Sequence, residues 1–306
     1  MRKTRRLIEE KQEVVYKTMS YEERDIIMIR IITDSTSDIS LERAKELNVD
    51  VMALTVSFGE HSYRSGIDIS DAEFYKKLVS TSELPKTAQV NPYEFEKKFK
   101  EYLDAGDEII SIHISKELSG TYQSAVIAKE ALDSDRITLI DSLNVTSALG
   151  LLVTIAAKLR DDGASVQEIT NALYSYIPRL RLFVVLDTLD YVKKGGRISP
   201  TVAFIGGVLN LHPIITLTNG KIEVADKAKG KKSAIKWLRE KMTALPQEEG
   251  LPVLVGHADA ESRGEALREA LEEDGVKNIL ANVCMGSVVG TYSGPDAIGV
   301  FYVSKE

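Results

Sequence analysis

From Ile29 to Leu159 short β-branched runs alternate with helical patterns, and this alternation restricts the fold more than any other feature of the chain. The runs "IRIIT" (29–33), "VDVMALTVSF" (49–58), "DEIISIHI" (107–114) and "RITLID" (136–141) each give way to a helical stretch. Strands and helices in this rhythm predict a parallel sheet covered by helices on both faces. In the third run Ile110, Ile112 and Ile114 alternate with Ser111, His113 and Ser115, so one face is wholly apolar. The segment "VTSALGLLVTIAAKL" (145–159) is apolar nearly all round, which predicts a helix packed on more than one side. It is too short to span a bilayer.

After "SVQEITNALYSYIP" the rhythm changes. "RLFVVLDTL", "PIITLTNGKIEVADKAK", "LPVLVGHAD", "NILANVCMG" and "IGVFYV" read as strands, two of them joined in a hairpin at Asn219-Gly220. Helices are expected at 230–245 and 260–274. The chain is therefore expected to be α/β with two domains. Residues 28–170 would form a parallel α/β/α sandwich, and 171–306 an α/β domain with a mostly antiparallel sheet. Within the first, "GEHSYRSG" (59–66) reads as a turn and an irregular excursion, and Asp71 as the cap of the helix "AEFYKKLVS". The stretch "ELPKTAQVNP" (83–92) reads as a loop, with Asn91 capping the next helix and Pro92 at its first position. Residues 1–27 are charge-dense and stand before Met28, which directly precedes the first strand; they read as an appendage or an over-extended start.

Composition excludes several classes. A net charge of −7 opposes a nucleic-acid surface. Cys284 is the sole cysteine, so an internal disulfide is excluded and the cytoplasm is the expected home. Four scattered histidines (His61, His113, His212, His257) build no zinc spacing, and no metal or cofactor is expected. No signal peptide and no transmembrane segment are read.

In such sheets ligands bind beyond the carboxyl ends of the strands. Ser35, Thr87 and Ser119 fall in loops near that edge. Around Ser119 the sequence Glu-Leu-Ser-Gly-Thr lacks the first glycine of a nucleophile elbow, and no base can be placed beside it. Neither phosphate-binding glycine motif occurs. "KKGGRIS" (193–199) is either a solvated turn or a loop for an anionic partner, and "DSTSD" lacks calcium-loop spacing, leaving Asp38 or Ser40 as helix caps. Ser119, Gly120 and Thr121 stand where a helix begins. Unpaired N–H groups, a glycine and two hydroxyls suit a carboxylate or phosphate there. The simpler local reading is a helix cap, and both stay open.

Seven segments in order carry a resemblance: "IRIITDSTSDIS", "LPKTAQVNPYEF", "SIHISKELSGTYQSA", "IDSLNVTSALGLL", "RLFVVLDTLDYVKKGGRIS", "LNLHPIITLTNGKIEVADKAKGKKSA" and "VVGTYSGPDAIGVFY". From about Met28 to Val303 the chain resembles the DegV family of bacterial fatty-acid-binding proteins. The resemblance implies two domains with a long-chain fatty acid, such as palmitate or oleate, buried between or within them. It implies a carboxylate held by Thr87 and Ser119, with Ser35, Gly120, Thr121, Arg181 and Tyr292 as secondary head-group candidates. It further implies a carrier rather than a catalyst, one that presents the acid to a fatty acid kinase making acyl phosphate for phospholipid synthesis. Lys193, Lys194, Arg197, Lys229 and Lys231 become the residues expected to face that kinase.

Physical chemistry agrees with such a division of labour. Burying ~14 methylenes at ~0.8 kcal/mol each contributes roughly 11 kcal/mol before ordering costs, while donors are needed only to satisfy the carboxylate. The chain departs from the family pattern in two places. The Thr-Ser-Gln-Pro-Ser loop is Thr87-Ala88-Gln89-Val90-Asn91 here. In the late element Tyr292 replaces a histidine and Asp296 a glycine; a phenol donates a hydrogen bond but carries no positive charge near neutrality. The reading from another class is a serine-dependent hydrolase or acyl transferase using Ser119. A third, a module like the substrate domain of dihydroxyacetone kinase, would hold its substrate through histidine, and no residue stands out for that.

Overall fold

The computed structural model describes residues 27–199 and 210–305; nearly all of the charge-dense segment read as an appendage, residues 1–26, lies outside them. The first half runs β1 (Ile29–Asp34), a 3-10 turn (Ser35–Ser37), α1 (Leu41–Glu46), β2 (Val49–Met52), β3 (Thr55–Phe58), β4 (His61–Arg64), α2 (Asp71–Ser80), β5 (Lys86–Ala88), α3 (Pro92–Asp104), β6 (Glu108–His113), α4 (Thr121–Leu132), β7 (Ile137–Asp141), α5 (Thr146–Asp161) and α6 (Val166–Tyr176). β1, β2, β6 and β7 form a parallel sheet in the order β2-β1-β6-β7.

The run 49–58, expected as one strand, divides at Ala53–Leu54. β2 stays in the parallel sheet, whereas β3 enters a small antiparallel sheet ordered β4-β3-β5. The Leu54 N–H donates to Ser35 Oγ at 3.0 Å and pins the break. Both the expected excursion 59–66 and the expected loop 83–92 thus contain a strand. Built of three or four residues such as His-Ser-Tyr-Arg and Lys-Thr-Ala, these strands lack the apolar alternation that marks longer ones. Helix starts follow local rules. Asn91 closes a capping box with Glu94 ahead of Pro92. For α2 the cap is Ser70, not Asp71, because Ser70 and Glu73 close the reciprocal pair and leave Asp71 in the first turn.

The second half runs β8 (Leu180–Val185), α7 (Asp190–Lys194), β9 (Leu211–Thr218), β10 (Lys221–Lys229), α8 (Lys231–Ala244), β11 (Val253–His257), α9 (Glu261–Glu273), β12 (Ile279–Cys284), α10 (Ser287–Ser293) and β13 (Ile298–Val303). Its sheet is ordered β10-β9-β8-β13-β11-β12, antiparallel except for the β11–β12 pair. The protein is thus a mixed α/β fold with one parallel and one mostly antiparallel large sheet. The β9–β10 turn places Asn219 and Gly220 at φ of 49° and 79°, as a tight hairpin requires. Gly220 also meets the first half of the chain. Its carbonyl accepts from Ser115 Oγ at 2.9 Å, and a Cβ there would lie 2.3 Å from that oxygen.

α5 touches both large sheets, which accounts for its all-round apolar character: eleven of its residues from Thr146 to Ala157 are buried. One apolar cluster accordingly joins Ile110 and Ile112, through Leu149 and Leu152, to Leu182, Val184 and Phe301. α10 crosses between the halves in another way. Its Val288 packs with Ile32, Val90 and Phe95. Just before it, Tyr75 Oη donates to the Met285 carbonyl at 2.8 Å and the Gly286 N–H to Asp38 Oδ1 at 3.0 Å, while Ser287 Oγ donates to Ser65 Oγ at 2.9 Å.

Candidate functional site

β6 ends at His113, and the chain turns through Ser115–Ser119 before α4 begins. Gly120 occupies the N-cap position without a side chain to offer, so Ser119 supplies the oxygen instead. Its Oγ accepts the Thr121 N–H at 3.3 Å and lies 3.0 Å from Thr121 Oγ1. Ser119 thus ties the helix start, as the cap reading expects, and it also lines a cavity. Across that cavity stands Thr87 in β5, whose Oγ1 is 2.5 Å from Tyr292 Oη. The Tyr292 ring lies under the Arg197 guanidinium, 4.8 Å from its centroid, a favourable cation–π distance. Its edge rests on Gly195, where a Cβ would come within 2.4 Å of the ring. Arg197 is held in turn by the carbonyls of Leu118 at 3.3 Å and Gly195 at 2.7 Å.

The cavity measures about 370 Å³. Leu182, Val184 and Leu186, Ile215, Leu217 and Ile222 of the hairpin, and Ile114, Val145, Met285 and Val288 give it aliphatic walls. Thr87, Ser119, Gly120, Gln89, Tyr292 and Arg197 line it as well. Among the described residues Arg197 is the only charged side chain on its surface. Hydroxyls that can donate, one guanidinium and otherwise aliphatic walls suit an anionic head on an apolar tail.

Other candidates from the sequence lie elsewhere. Thr121 is fully buried behind Ser119. Ser35, occupied by Leu54, lines a second cavity rather than this one. Arg181 donates to the Pro178 carbonyl and does not line the cavity. Lys193, Lys194, Lys229 and Lys231 are exposed, and Lys231 pairs with Asp296. Arg197, expected to face outward, also lines the cavity. Asp296 has a φ of 66°, the left-handed conformation a glycine would favour, and its carboxylate joins Lys231 to Arg263. Thr36 and Thr146 also line the cavity without having been singled out; Thr146 donates to Asp38.

No histidine hydrogen-bonds Ser119 among the described residues. His113 instead bridges Asp34 Oδ2 at 3.0 Å and Ser111 Oγ at 2.6 Å, all three side chains fully buried. That serine–histidine–aspartate chain ties β1 to β6 and has no solvent access. Among the described residues no group of three His, Cys, Asp or Glu side chains is placed to hold a metal, and no helix is long and apolar enough to cross a membrane.

Fold and site together define an α/β protein with two large sheets and an aliphatic cavity lined in part by hydroxyls. The chain belongs to the DegV family: residues 28–305 match the model of that family of uncharacterised proteins. It is 40% identical over 279 residues to a DegV domain-containing protein of Caldanaerobacter subterraneus, covering 90% of this chain and 99% of the relative. Among solved structures it is similar to a fatty-acid-binding DegV family protein of Thermus thermophilus (30% identity, TM-score 0.83, 91% of this chain and 100% of the other). It is likewise similar to a stearic-acid-binding protein of Eubacterium ventriosum (27% identity, TM-score 0.83, 91% and 99%).

Proposed function

We propose that this protein binds a long-chain fatty acid such as palmitate or oleate in the 370 Å³ cavity, with its carboxylate at Thr87 and Ser119. The observation that carries the reading is the contrast within one cavity between aliphatic walls and a cluster of hydroxyls beside Arg197. Tyr292 Oη adds a donor where it meets Thr87, and Arg197 supplies the positive charge that a phenol does not. The fatty-acid-binding relatives support the choice of ligand.

In this reading the acyl chain lies between the parallel-sheet domain, residues 28–170, and the antiparallel-sheet domain, residues 171–306. The protein is a cytoplasmic carrier, not a catalyst. It presents the carboxylate to a fatty acid kinase that forms acyl phosphate for phospholipid synthesis, and Lys193, Lys194, Lys229 and Lys231 lie on exposed surface open to such a partner. The Ser119 hydroxyl is engaged with Thr121 and, among the described residues, hydrogen-bonds no histidine, which accords with a binding role. Extraction of the purified protein followed by lipid mass spectrometry is expected to recover a long-chain fatty acid. Protein that is empty, and that also refuses added palmitate and oleate, would sink the proposal.

A further inference from the structure

We infer that Gln89 is a positioning residue that fixes the spacing of Thr87 and Ser119, with Gly120 as the recess that receives it. Gln89 stands two residues beyond Thr87, on the segment between β5 and α3. Its Nε2 donates to Ser124 Oγ on α4 at 2.9 Å. Ser124 is one helical turn from Gly120 and faces the same side. Among the described residues this is the hydrogen bond that links the Thr87 segment to the start of α4.

Gly120 shows how closely the carboxamide fits. A Cβ at that position would lie 2.0 Å from Gln89 Oε1 and 2.7 Å from its Cδ. The backbone there has φ of −71°, which every residue adopts, so close approach and not conformation requires the glycine. The carboxamide fills the space of a missing side chain. Ser119 and Thr87 come from segments that no strand pairing joins, and the brace sets how far apart their hydroxyls stand. A carboxylate that bonds both is sensitive to that separation; an acyl tail is not.

The inference rests on the fatty-acid reading for its ligand test but has a second readout without ligand. Affinity is measured for palmitate and for hexadecanol, which shares the tail but lacks the carboxylate. Gln89→Ala is expected to weaken palmitate roughly tenfold, the scale of one lost hydrogen bond near a charge, and hexadecanol less than about twofold. Gly120→Ala, which evicts the carboxamide, should do the same. The double variant should be no worse than either single one, because the new methyl enters vacated space. Unchanged palmitate affinity in Gln89→Ala, equal losses for both ligands, or additive losses in the double variant would each overturn the inference.

In the ligand-free protein, amide hydrogen exchange in residues 86–91 should quicken at least about fivefold in each single variant and no further in the double. Unaltered exchange counts against the brace whatever binds. If exchange responds as expected while the wild-type protein refuses palmitate, the fatty-acid reading fails and the brace stands.

Discussion

Two cavities of about 370 Å³ among the described residues differ in what lines them. The first is aliphatic apart from its hydroxyls, Gln89 and Arg197. The second is also largely aliphatic, with Ile39, Val51, Ile67, Ile69 and Val283 on its surface, but it adds two acids, Asp38 and Asp71, with Cys284 and the serines 35, 40, 65 and 70. Burial lifts the Asp38 carboxyl to about 7, raises Asp71 and pushes the Cys284 thiol up to about 12. An acyl chain gains ~0.8 kcal/mol per methylene from the first wall, and a carboxylate entering the second would meet two acids. Equal volume therefore does not mean equal use. The second cavity instead surrounds a tie between the halves of the chain, since Asp38 accepts from both Thr146 and the Gly286 N–H.

The contrast can be broken most directly at its apolar side. Ile222→Asp places a carboxylate in the aliphatic wall, and desolvation of several kcal/mol should cut fatty-acid affinity by at least about a hundredfold. Calorimetric titration with palmitate checks this, and a loss under tenfold would mean that the tail lies elsewhere. Next in size, Thr87→Ala or Ser119→Ala should each cost about 1–3 kcal/mol of palmitate binding; a variant that binds as tightly as the wild type removes that hydroxyl from the head-group contact.

The cavity with the two acids should respond to pH instead. With its pKa raised from 3.8 to about 7, Asp38 prefers to be protonated in the folded state. Its contribution to stability is fully present below pH 3.8 and is lost as the pH rises through 7. Between pH 5.5 and 8 the wild type should lose about 2 kcal/mol of unfolding free energy relative to Asp38→Asn. Denaturant titrations at both values measure the difference, and parallel pH curves would refute it. The smallest change is expected from Tyr292→Phe, which keeps the ring beneath Arg197 and removes one hydroxyl, at about 1 kcal/mol of palmitate affinity.

How much could be read from the residues follows from the range of the forces involved. Ile110, Ile112 and Ile114 announce a strand because periodicity is local, and "VTSALGLLVTIAAKL" announces a helix between two layers for the same reason. The small sheet was hidden: His61–Arg64 and Lys86–Ala88 are short and polar, and only tertiary pairing to Thr55–Phe58 makes them strands. Thr87 and Ser119 stand out in loops near the sheet edge and are paired by the family resemblance, but the meeting of Thr87 with Tyr292, 205 residues away, is a property of the fold. Arg197 illustrates the same limit. Its basic neighbours suggest a solvated loop, and the loop is exposed, but the placement of its guanidinium over the Tyr292 ring at the cavity follows only from packing. Gln89 stands at the glutamine of the family's Thr-Ser-Gln-Pro-Ser loop, but that match gives it no role; the glycine that accommodates it, Gly120, is visible in the sequence but open to several explanations.

The placement of α10 has a consequence for the order in which the protein becomes competent. A ribosome that has released the chain through β12 has already delivered Thr87, Ser119, the hairpin and α5. The nascent protein then still lacks Val288 and Tyr292, so the aliphatic wall is open on one side and Thr87 has no phenol to meet. Chains fold as they emerge, N-terminal parts first, yet this cavity is finished by one of the last helices made. A stalled or truncated chain ending before Ser287 has no closed cavity to offer, so ligand retention would report on completed synthesis.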